Sequence, residues 1–259
     1  MSRLSPDLID VALAPSGIQL VRHSRLTRRQ RARAEQRFPA PQGLGTVLAQ
    51  LDDTLHQPDW RGAGGLRLIL SNHWLHFAVI PWSDALTRPA ERLALAQGVL
   101  EEIYGEQGEQ AIRISESGVR RPALAAALAA DAMRQLRQMA QAHALRLVSL
   151  QPLLMQSFTA CRSQLSGGDT ALACLEPGRL TLLTTARDRW QSIQSRSLPY
   201  EPSPAVGPVL TQLFAQLEQL PQLTVLIGCG LQTTLQSVAG MPVNPASTGL
   251  AWPTPAGWN

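Results

Sequence analysis

The residues that could do chemistry begin with a single acid in an apolar hairpin. Two short apolar runs flank the tetrapeptide Ala-Pro-Ser-Gly at 14–17, and Asp10 is the one acid within residues 8–22. The runs predict two strands joined by a tight turn. A turn of small residues can present backbone N–H groups to an anion such as phosphate. The sequence therefore makes Asp10, Ser16 and Gly17 candidates for a phosphate site.

Two later turns carry similar residue types. Glu176 and Gly178 lie in the turn of a second predicted hairpin, and Gly228 and Gly230 end an apolar strand predicted over 222–230. These four residues join the list of candidate nucleotide-binding positions. A structural interpretation stands beside each one, because glycine supplies the positive φ that many turns require and Asp10 can be a hydrogen-bonded strand residue.

Composition excludes several kinds of site. Of the 259 residues 44% are hydrophobic, and all 23 basic residues are arginine, so a P-loop lysine and Schiff-base chemistry are excluded. Three widely spaced cysteines predict neither a disulfide framework nor a zinc site. No apolar run reaches the length of a membrane span, and the first ten residues lack the apolar core of a signal peptide. We expect a cytoplasmic protein.

The positive charge is concentrated near the start of the chain. Residues 1–40 hold eight arginines against three acids, whereas the whole chain has a net charge of only +4. The segment 22–37 is interpreted as a basic helix or loop inserted into the fold. It is either a solvated surface or a docking site for an acidic partner or an anionic lipid surface. Nucleic acid is disfavoured because no aromatic residues or known motif accompany the arginines. The candidate partner-binding residues here are Arg25, Arg28, Arg29, Arg31 and Arg33.

The predicted elements repeat one pattern. A hairpin and further strands come first, followed by alternating helices and strands, which predicts an α/β fold of mixed sheets covered by helices. We place two lobes at 1–152 and 153–259. A strand predicted over 74–82 carries Trp74, Phe77 and Trp82, which lie either in the core or at a sheet edge that accepts a partner peptide.

A family resemblance rests on five stretches that together span most of the chain. They are "LIDVALAPSGIQLVR", "LILSNHWLHFAVIPW", "LRLVSLQPLLMQSF", "ALACLEPGRLTLLTTARDRWQSIQSRSLP" and "LTVLIGCGL". The chain resembles the RNase H-like superfamily, which includes actin, Hsp70 and sugar kinases, and within it the PilM/GspL/MshI group of cytoplasmic components of type IV pilus and type II secretion platforms. The resemblance implies two RNase H-like, actin-like lobes, each opened by a β-hairpin.

The resemblance also implies a function with a degraded phosphate site. Actin-like ATPases open with roughly Asp-x-Gly, whereas here Asp10 is followed by Val11 and Ala12, and Pro15 has no N–H to donate. We expect a non-catalytic scaffold, in which any bound cofactor would be ATP with Mg²⁺. It would bind the cytoplasmic tail of a PilN- or GspM-like inner-membrane protein, contact a secretion ATPase, and lie at the inner membrane through these partners.

Two enzyme alternatives follow from the same superfamily. An active nucleotide-binding ATPase or kinase would need Asp10 and the Gly228/Gly230 turn to meet in one cleft. An RNase H nuclease would need several carboxylates around two Mg²⁺ ions, and no predicted strand supplies a second well-placed acid.

Overall fold

The structure, a computed structural model, describes residues 7–86, 88–116, 118, 120–201, 205–229, 235–246 and 252. The strands are β1 (Leu8–Ala14), β2 (Gly17–His23), β3 (Gln30–Arg37), β4 (Gly65–Leu70), β5 (His76–Ile80), β6 (Gln110–Glu116), β7 (Ala123–Ala129), β8 (Arg146–Pro152), β9 (Asp169–Glu176), β10 (Arg179–Ala186), β11 (Arg189–Ser197), β12 (Leu223–Gly228), β13 (Ser237–Val238) and β14 (Met241–Ala246). The helices are α1 (Leu44–Leu55), α2 (Pro89–Tyr104), α3 (Ala130–Ala142), α4 (Leu153–Ala160), α5 (Arg162–Leu165) and α6 (Val206–Phe214).

The first compact unit comprises residues 1–74, 130–153 and 251–259. Its described strands form a sheet in the order β3-β2-β1-β4-β8. β1 is antiparallel to β2 and parallel to β4. The sheet is therefore antiparallel on the side of the first hairpin and parallel on the other side. The parallel strand β4 buries Leu66, Leu68 and Leu70, which are at most 1% exposed.

Helices α1 and α3 pack together in this unit. The apolar stripe of α1 repeats at helical spacing and buries Val47, Leu48, Leu51 and Leu55. On α3 the buried residues include Leu136 and Met139, while the opposite face is polar. The helices are therefore fixed by burial of one face each.

The second unit comprises residues 75–129 and 154–250 and holds two sheets. The larger, β11-β10-β9-β12-β14-β13, repeats the hairpin-then-parallel order of the first unit. Gly178 closes the β9–β10 turn with φ +80°, a value that favours glycine. The smaller sheet, β5-β7-β6, buries alanines against Ala96 and Leu100 of α2.

These sheets confirm the predicted α/β class and the two hairpin-led mixed sheets. The second compact unit includes residues 75–129, whereas the sequence predicts lobes at 1–152 and 153–259. The prediction of a basic helix or loop inserted at 22–37 is wrong for residues 30–37, whereas residues 24–29 do form a loop. Residues Gln30–Arg37 form β3, which pairs along its length with β2 and is a regular strand of the sheet.

Candidate functional site

Asp10 lies in the middle of β1 rather than beside the hairpin turn. Its neighbour on β2 is Val21, and its neighbour on β4 is Arg67. Because a strand rises about 3.3 Å per residue, Asp10 is roughly 16 Å along the strand from the turn at Pro15. The positions of β1 next to the turn are the apolar, buried residues Leu13 and Ala14.

The carboxylate of Asp10 is already engaged by two side chains. Arg67 donates from Nε to Oδ1 and from Nη2 to Oδ2, the latter at 2.7 Å, which makes a two-pronged ion pair. His23 Nδ1 lies 3.3 Å from Oδ2, and Arg67 Nη2 lies 3.1 Å from His23 Nε2. A histidine that donates from Nδ1 and accepts at Nε2 satisfies both contacts. Asp10, His23 and Arg67 thus form a closed network that ties β1, β2 and β4 together.

The turn of the first hairpin is covered by a later stretch of the chain. The N–H of Phe38 donates to the Ser16 carbonyl at 2.8 Å, and the N–H of Gln42 donates to the Pro15 carbonyl at 2.9 Å. Ser16 is only 1% exposed. Pro15 has no N–H, so this turn offers fewer donors to an anion than a glycine-rich turn does.

These observations test how well Mg-ATP fits the first hairpin. A phosphate site here would need free backbone donors at the turn and an acid beside it. The structure instead has Pro15 in a covered turn and Asp10 held by Arg67 at a distance from it. The described residues of this hairpin therefore fit Mg-ATP poorly.

The second hairpin keeps its candidate residues in a buried setting. Glu176 is 1% exposed at the end of β9, and Gly178 follows it in the turn. Cys174 on the same strand contacts Ser157 at 3.8 Å. The contact with Cys174 and burial together raise the pKa of the Cys229 thiol well above its usual value. The Cys229 thiol is therefore a neutral side chain.

Of the two glycines predicted at the end of the apolar strand, the structure describes only Gly228. Gly228 is the last residue of β12 and pairs with Leu175 of β9. Gly230 lies outside the described residues. The assignment of Glu176, Gly178 and Gly228 to a nucleotide site stays a prediction.

The aromatic residues predicted to meet a partner are partly or fully enclosed. Phe77 is 2% exposed, whereas Trp74 and Trp82 are half-buried. Trp82 donates from Nε1 to Asp84 at 3.2 Å, and the Arg92 guanidinium lies 5.6 Å from the centre of its ring. The three side chains therefore do not form one exposed strip.

The edge of β5 is closed at Phe77 by a tyrosine. Tyr104 Oη donates to the Phe77 carbonyl at 3.0 Å and accepts from the Phe77 N–H at 3.3 Å. These backbone groups are the ones that an added strand would use at that residue. The prediction that a peptide adds to the strand at Phe77 is disfavoured, because its donor and acceptor are taken.

The arginine residues of the basic segment lie on an exposed edge strand and the loop before it. Arg25, Arg28, Arg29, Arg31 and Arg33 are exposed, and Arg28 has φ +54°.

Two acids neutralise part of this charge. Arg31 lies 3.4 Å from Asp7, and Arg33 lies 3.3 Å from Glu35. Burial alone would raise the pKa of Glu35, but hydrogen bonds and charges from Arg37 and Arg33 lower it below its usual value. Arginine on an edge strand also discourages pairing with other chains. The segment thus has a structural role that does not require a partner.

Sequence reasoning missed a groove in the second unit, which we call the arginine groove. It encloses about 440 Å³ and is lined by Arg121, Met155, Phe158, Arg162 and Trp190 among other residues. The rings of Phe158 and Trp190 are 4.7 Å apart, and Arg162 is exposed. Asp188 also lines the groove, where its carboxylate accepts the N–H of Gly167. The groove therefore combines an aromatic wall with two positive charges and one negative charge.

Sequence reasoning also missed a cluster of imidazole and carboxylate groups at the C-terminal ends of α1 and α3. Asp52 and His56 lie one helical turn apart, a spacing that the sequence displays, but their third member, His143, is 91 residues from Asp52. The cluster belongs to the first unit.

None of the helices in the described part of the chain is both long and apolar enough to cross a membrane.

Comparisons with known proteins bear on the fold. No family model matches the chain, and no curated protein matches its sequence. A chain of the PilM–PilN type IV pilus biogenesis complex is similar in structure, with a TM-score of 0.64, 14% identity, and coverage of 95% of this chain and 90% of that one.

Two further solved structures are similar. The cytoplasmic domain of EpsL, an inner-membrane component of the Vibrio cholerae type II secretion system, has a TM-score of 0.60 at 12% identity, covering 95% of this chain and 91% of that one. A Bacteroides thetaiotaomicron protein with an actin-like ATPase fold and unknown function has a TM-score of 0.61 at 9% identity, covering 90% and 85%. These likenesses confirm at the level of fold the resemblance drawn from sequence: the chain has an actin-like fold.

Proposed function

We propose that the chain is a non-catalytic, actin-like scaffold of a type IV pilus or type II secretion assembly platform. It binds the cytoplasmic tail of an inner-membrane protein similar to PilN or GspM, and acts at the cytoplasmic face of the membrane through that partner. The observation that carries the proposal is an actin-like fold whose first-hairpin acid, Asp10, is held by Arg67 away from the turn. The fold shared with the PilM–PilN complex and the EpsL domain supports the choice of partner class.

The first hairpin supports a binding role over hydrolysis. An ATPase must hold phosphate oxygens and a metal ion close to an acid that is free to orient them. Asp10 is not free, because both of its carboxylate oxygens accept hydrogen bonds from Arg67. The alternative of an active ATPase or kinase has no such support from the first hairpin.

The arginine groove is the surface that we assign to the partner tail. Arg121 and Arg162 attract acidic side chains, and Met155, Phe158 and Trp190 offer apolar and aromatic contact. Its volume of about 440 Å³ suits a few residues of an extended segment rather than a folded domain. The fitting occupant is an extended tail that carries acidic and apolar side chains.

The test measures binding of a labelled peptide by fluorescence anisotropy. The peptide is the cytoplasmic tail of a PilN- or GspM-like protein encoded in the same genome, and the full chain is titrated into it. Arg162→Glu reverses one charge of the groove and is expected to weaken binding about tenfold, the effect of one charge-assisted contact. Arg137→Glu, at an exposed position of α3, is the matched control and is expected to leave affinity unchanged.

Two results would count against the proposal. One is the absence of binding by any such tail, and the other is equal affinity for both arginine variants, which would move the contact elsewhere. Calorimetry with Mg-ATP is run on the same protein, and we expect no binding at millimolar nucleotide. Micromolar Mg-ATP binding would favour the ATPase or kinase alternative. Contact with a secretion ATPase stays a prediction.

A further inference from the structure

The cluster formed by Asp52, His56 and His143 lies where α1 packs against α3. Asp52 lies on α1, and His56, four residues further on, is the residue that caps its C-terminal end in a helical backbone conformation, so both side chains lie on one face. His143 directly follows α3, and its N–H caps that helix by donating to the Met139 carbonyl at 3.1 Å. The topology thus brings two imidazoles and one carboxylate together from elements far apart in sequence.

The three side chains lie close enough together for one atom of each to reach a single metal ion. His143 Nε2 lies 2.8 Å from Asp52 Oδ1, and His56 Nδ1 lies 3.9 Å from Asp52 Oδ2. One ligand atom from each residue lies within 4.8 Å of the other two. Around a tetrahedral Zn²⁺ with bonds near 2.0–2.1 Å, ligand atoms stand about 3.3 Å apart. The two observed separations lie on either side of that value and involve different oxygens of Asp52, so side-chain rotation is needed to bring one atom of each residue to the ion.

The three side chains differ in exposure, so one of them is held in place and the others can move. The side chain of His143 is 11% exposed, that of Asp52 is 42% exposed and that of His56 is 67% exposed. His143 is therefore held by packing, whereas the His56 ring can turn without displacing core residues. In the structure His56 Nδ1 bonds the Asp52 backbone carbonyl at 2.8 Å, a contact given up if Nδ1 becomes the ligand.

The guanidinium of Arg61 bonds a backbone carbonyl near the cluster. Arg61 donates to the backbone carbonyl of His56 at 3.2 Å rather than to Asp52. The Asp52 carboxylate, shared between the two histidines, keeps lone pairs for an ion. The His56 and His143 rings meet edge to face with centroids 4.6 Å apart, and a nitrogen of each lies within 4.8 Å of the other and of an Asp52 oxygen.

We propose that Asp52, His56 and His143 form a binding site for a divalent transition-metal ion, with Zn²⁺ as the reference ion. Two imidazoles with one carboxylate suit Zn²⁺ and its neighbours, whereas Mg²⁺ and Ca²⁺ require mostly oxygen ligands. Three protein ligands leave a fourth position for solvent on the exposed side. The bound ion links α1 to α3 and stabilises the first unit. This site is independent of the proposed scaffold function.

The test titrates Zn²⁺ into the tag-free, metal-stripped full chain and measures heat and melting temperature. We expect one site with a Kd of about 10 μM or tighter, and a melting temperature raised by roughly 5 °C at saturating ion. Mg²⁺ at the same concentration should give neither effect. His56→Gln, at the most exposed ligand, and the isosteric Asp52→Asn should each weaken binding at least tenfold.

Asp53→Asn is the matched control, because Asp53 is an exposed carboxylate one residue along the same helix. It is expected to bind Zn²⁺ as the unaltered chain does. Equal Zn²⁺ affinity in Asp52→Asn, His56→Gln and the unaltered chain would overturn the site, as would a Kd weaker than about 1 mM. His56→Gln keeps the proposal testable even if Asp52→Asn fails to fold, since the His56 side chain makes few packing contacts with the core.

Discussion

The ion pair between Asp10 and Arg67 gives the most direct test of how the first hairpin is used. If the pair is structural, Asp10→Asn and Arg67→Gln should each lower the free energy of unfolding, and neither should alter nucleotide binding. The double variant should lose less than the sum of the two single losses. That difference is the coupling free energy of the pair.

The size of the coupling follows from geometry and exposure. Two opposite unit charges about 4 Å apart attract by about 1 kcal/mol in water and about 4 kcal/mol at an effective dielectric constant of 20. The Arg67 and Asp10 side chains are 42% and 36% exposed, which places the pair nearer the aqueous limit. Exposed pairs usually contribute about 0.2–1 kcal/mol, and the two-pronged geometry puts this one near the top of that range. We expect a coupling of about 1 kcal/mol.

The assay is urea unfolding of the unaltered chain, the two single variants and the double variant. Repeating it in about 1 M salt should shrink the coupling, because the Debye length falls to about 3 Å. The pair of Asp131 and Arg134, three residues apart on α3, supplies the control. Both of its side chains are more than half exposed. Its coupling should be at most about 0.5 kcal/mol.

Two outcomes would refute the reasoning. A coupling within about 0.3 kcal/mol of zero would mean that the contacts of Asp10 with Arg67 do not stabilise the sheet. Binding of Mg-ATP that disappears in Asp10→Asn would mean that the carboxylate serves a ligand instead. The second result would also revive the kinase or ATPase alternative.

Three further predictions concern the second unit. Tyr104→Phe removes the hydroxyl that satisfies the Phe77 backbone, so we expect a loss of about 1–2 kcal/mol and faster amide exchange at Phe77; unchanged exchange would contradict this. Burial and the charge of Arg179 lower the pKa of His76. The unfolded chain therefore takes up a proton near pH 6.5 that the folded chain resists, and stability should be constant above that pH and fall below it. His76→Gln should flatten that fall in unfolding experiments across the same pH range. The three cysteines are buried, so a thiol reagent should modify none before unfolding and three after it.

The elements that sequence predicted well are those whose signal is local. The apolar stripe over 44–57 predicted a helix, and α1 spans Leu44–Leu55. The hairpin strands were equally readable, because alternation and turn residues determine them within a few positions. The repeated order of hairpin and parallel strands then followed from the succession of elements.

In the basic segment the sequence pattern indicated a strand, but the amino-acid composition favoured a helix. Arginine, alanine, glutamate and glutamine all favour helix, and they led to the prediction of a basic helix or loop. Yet charged residues alternate with alanine over residues 31–35. In the structure Arg31 and Arg33 are exposed, and Ala32 and Ala34 are half-buried. A period of two was therefore available in the sequence and indicated a strand.

The candidate sites could not be predicted because they depend on register and distant packing. Asp10 meets Arg67 across 57 residues, only because parallel pairing of β1 with β4 sets them side by side. A shift of one residue would turn Arg67 to the other face of the sheet. The meeting of Asp52 with His143 likewise depends on how α1 packs against α3, and spacing along the chain contains no such information.

The opening hairpin also bears on the proposal that this actin-like fold serves as a scaffold and not as an ATPase. A side chain that holds a metal or phosphate must be polar and lie beside the turn, which is where Leu13 and Ala14 are at most 1% exposed. Removing a fully buried leucine costs about 2–5 kcal/mol, and replacing it with a carboxylate adds the cost of a buried charge. Packing and phosphate binding therefore compete for the same positions of β1. In this chain those positions stabilise the sheet, and the one remaining acid is placed where it strengthens strand pairing.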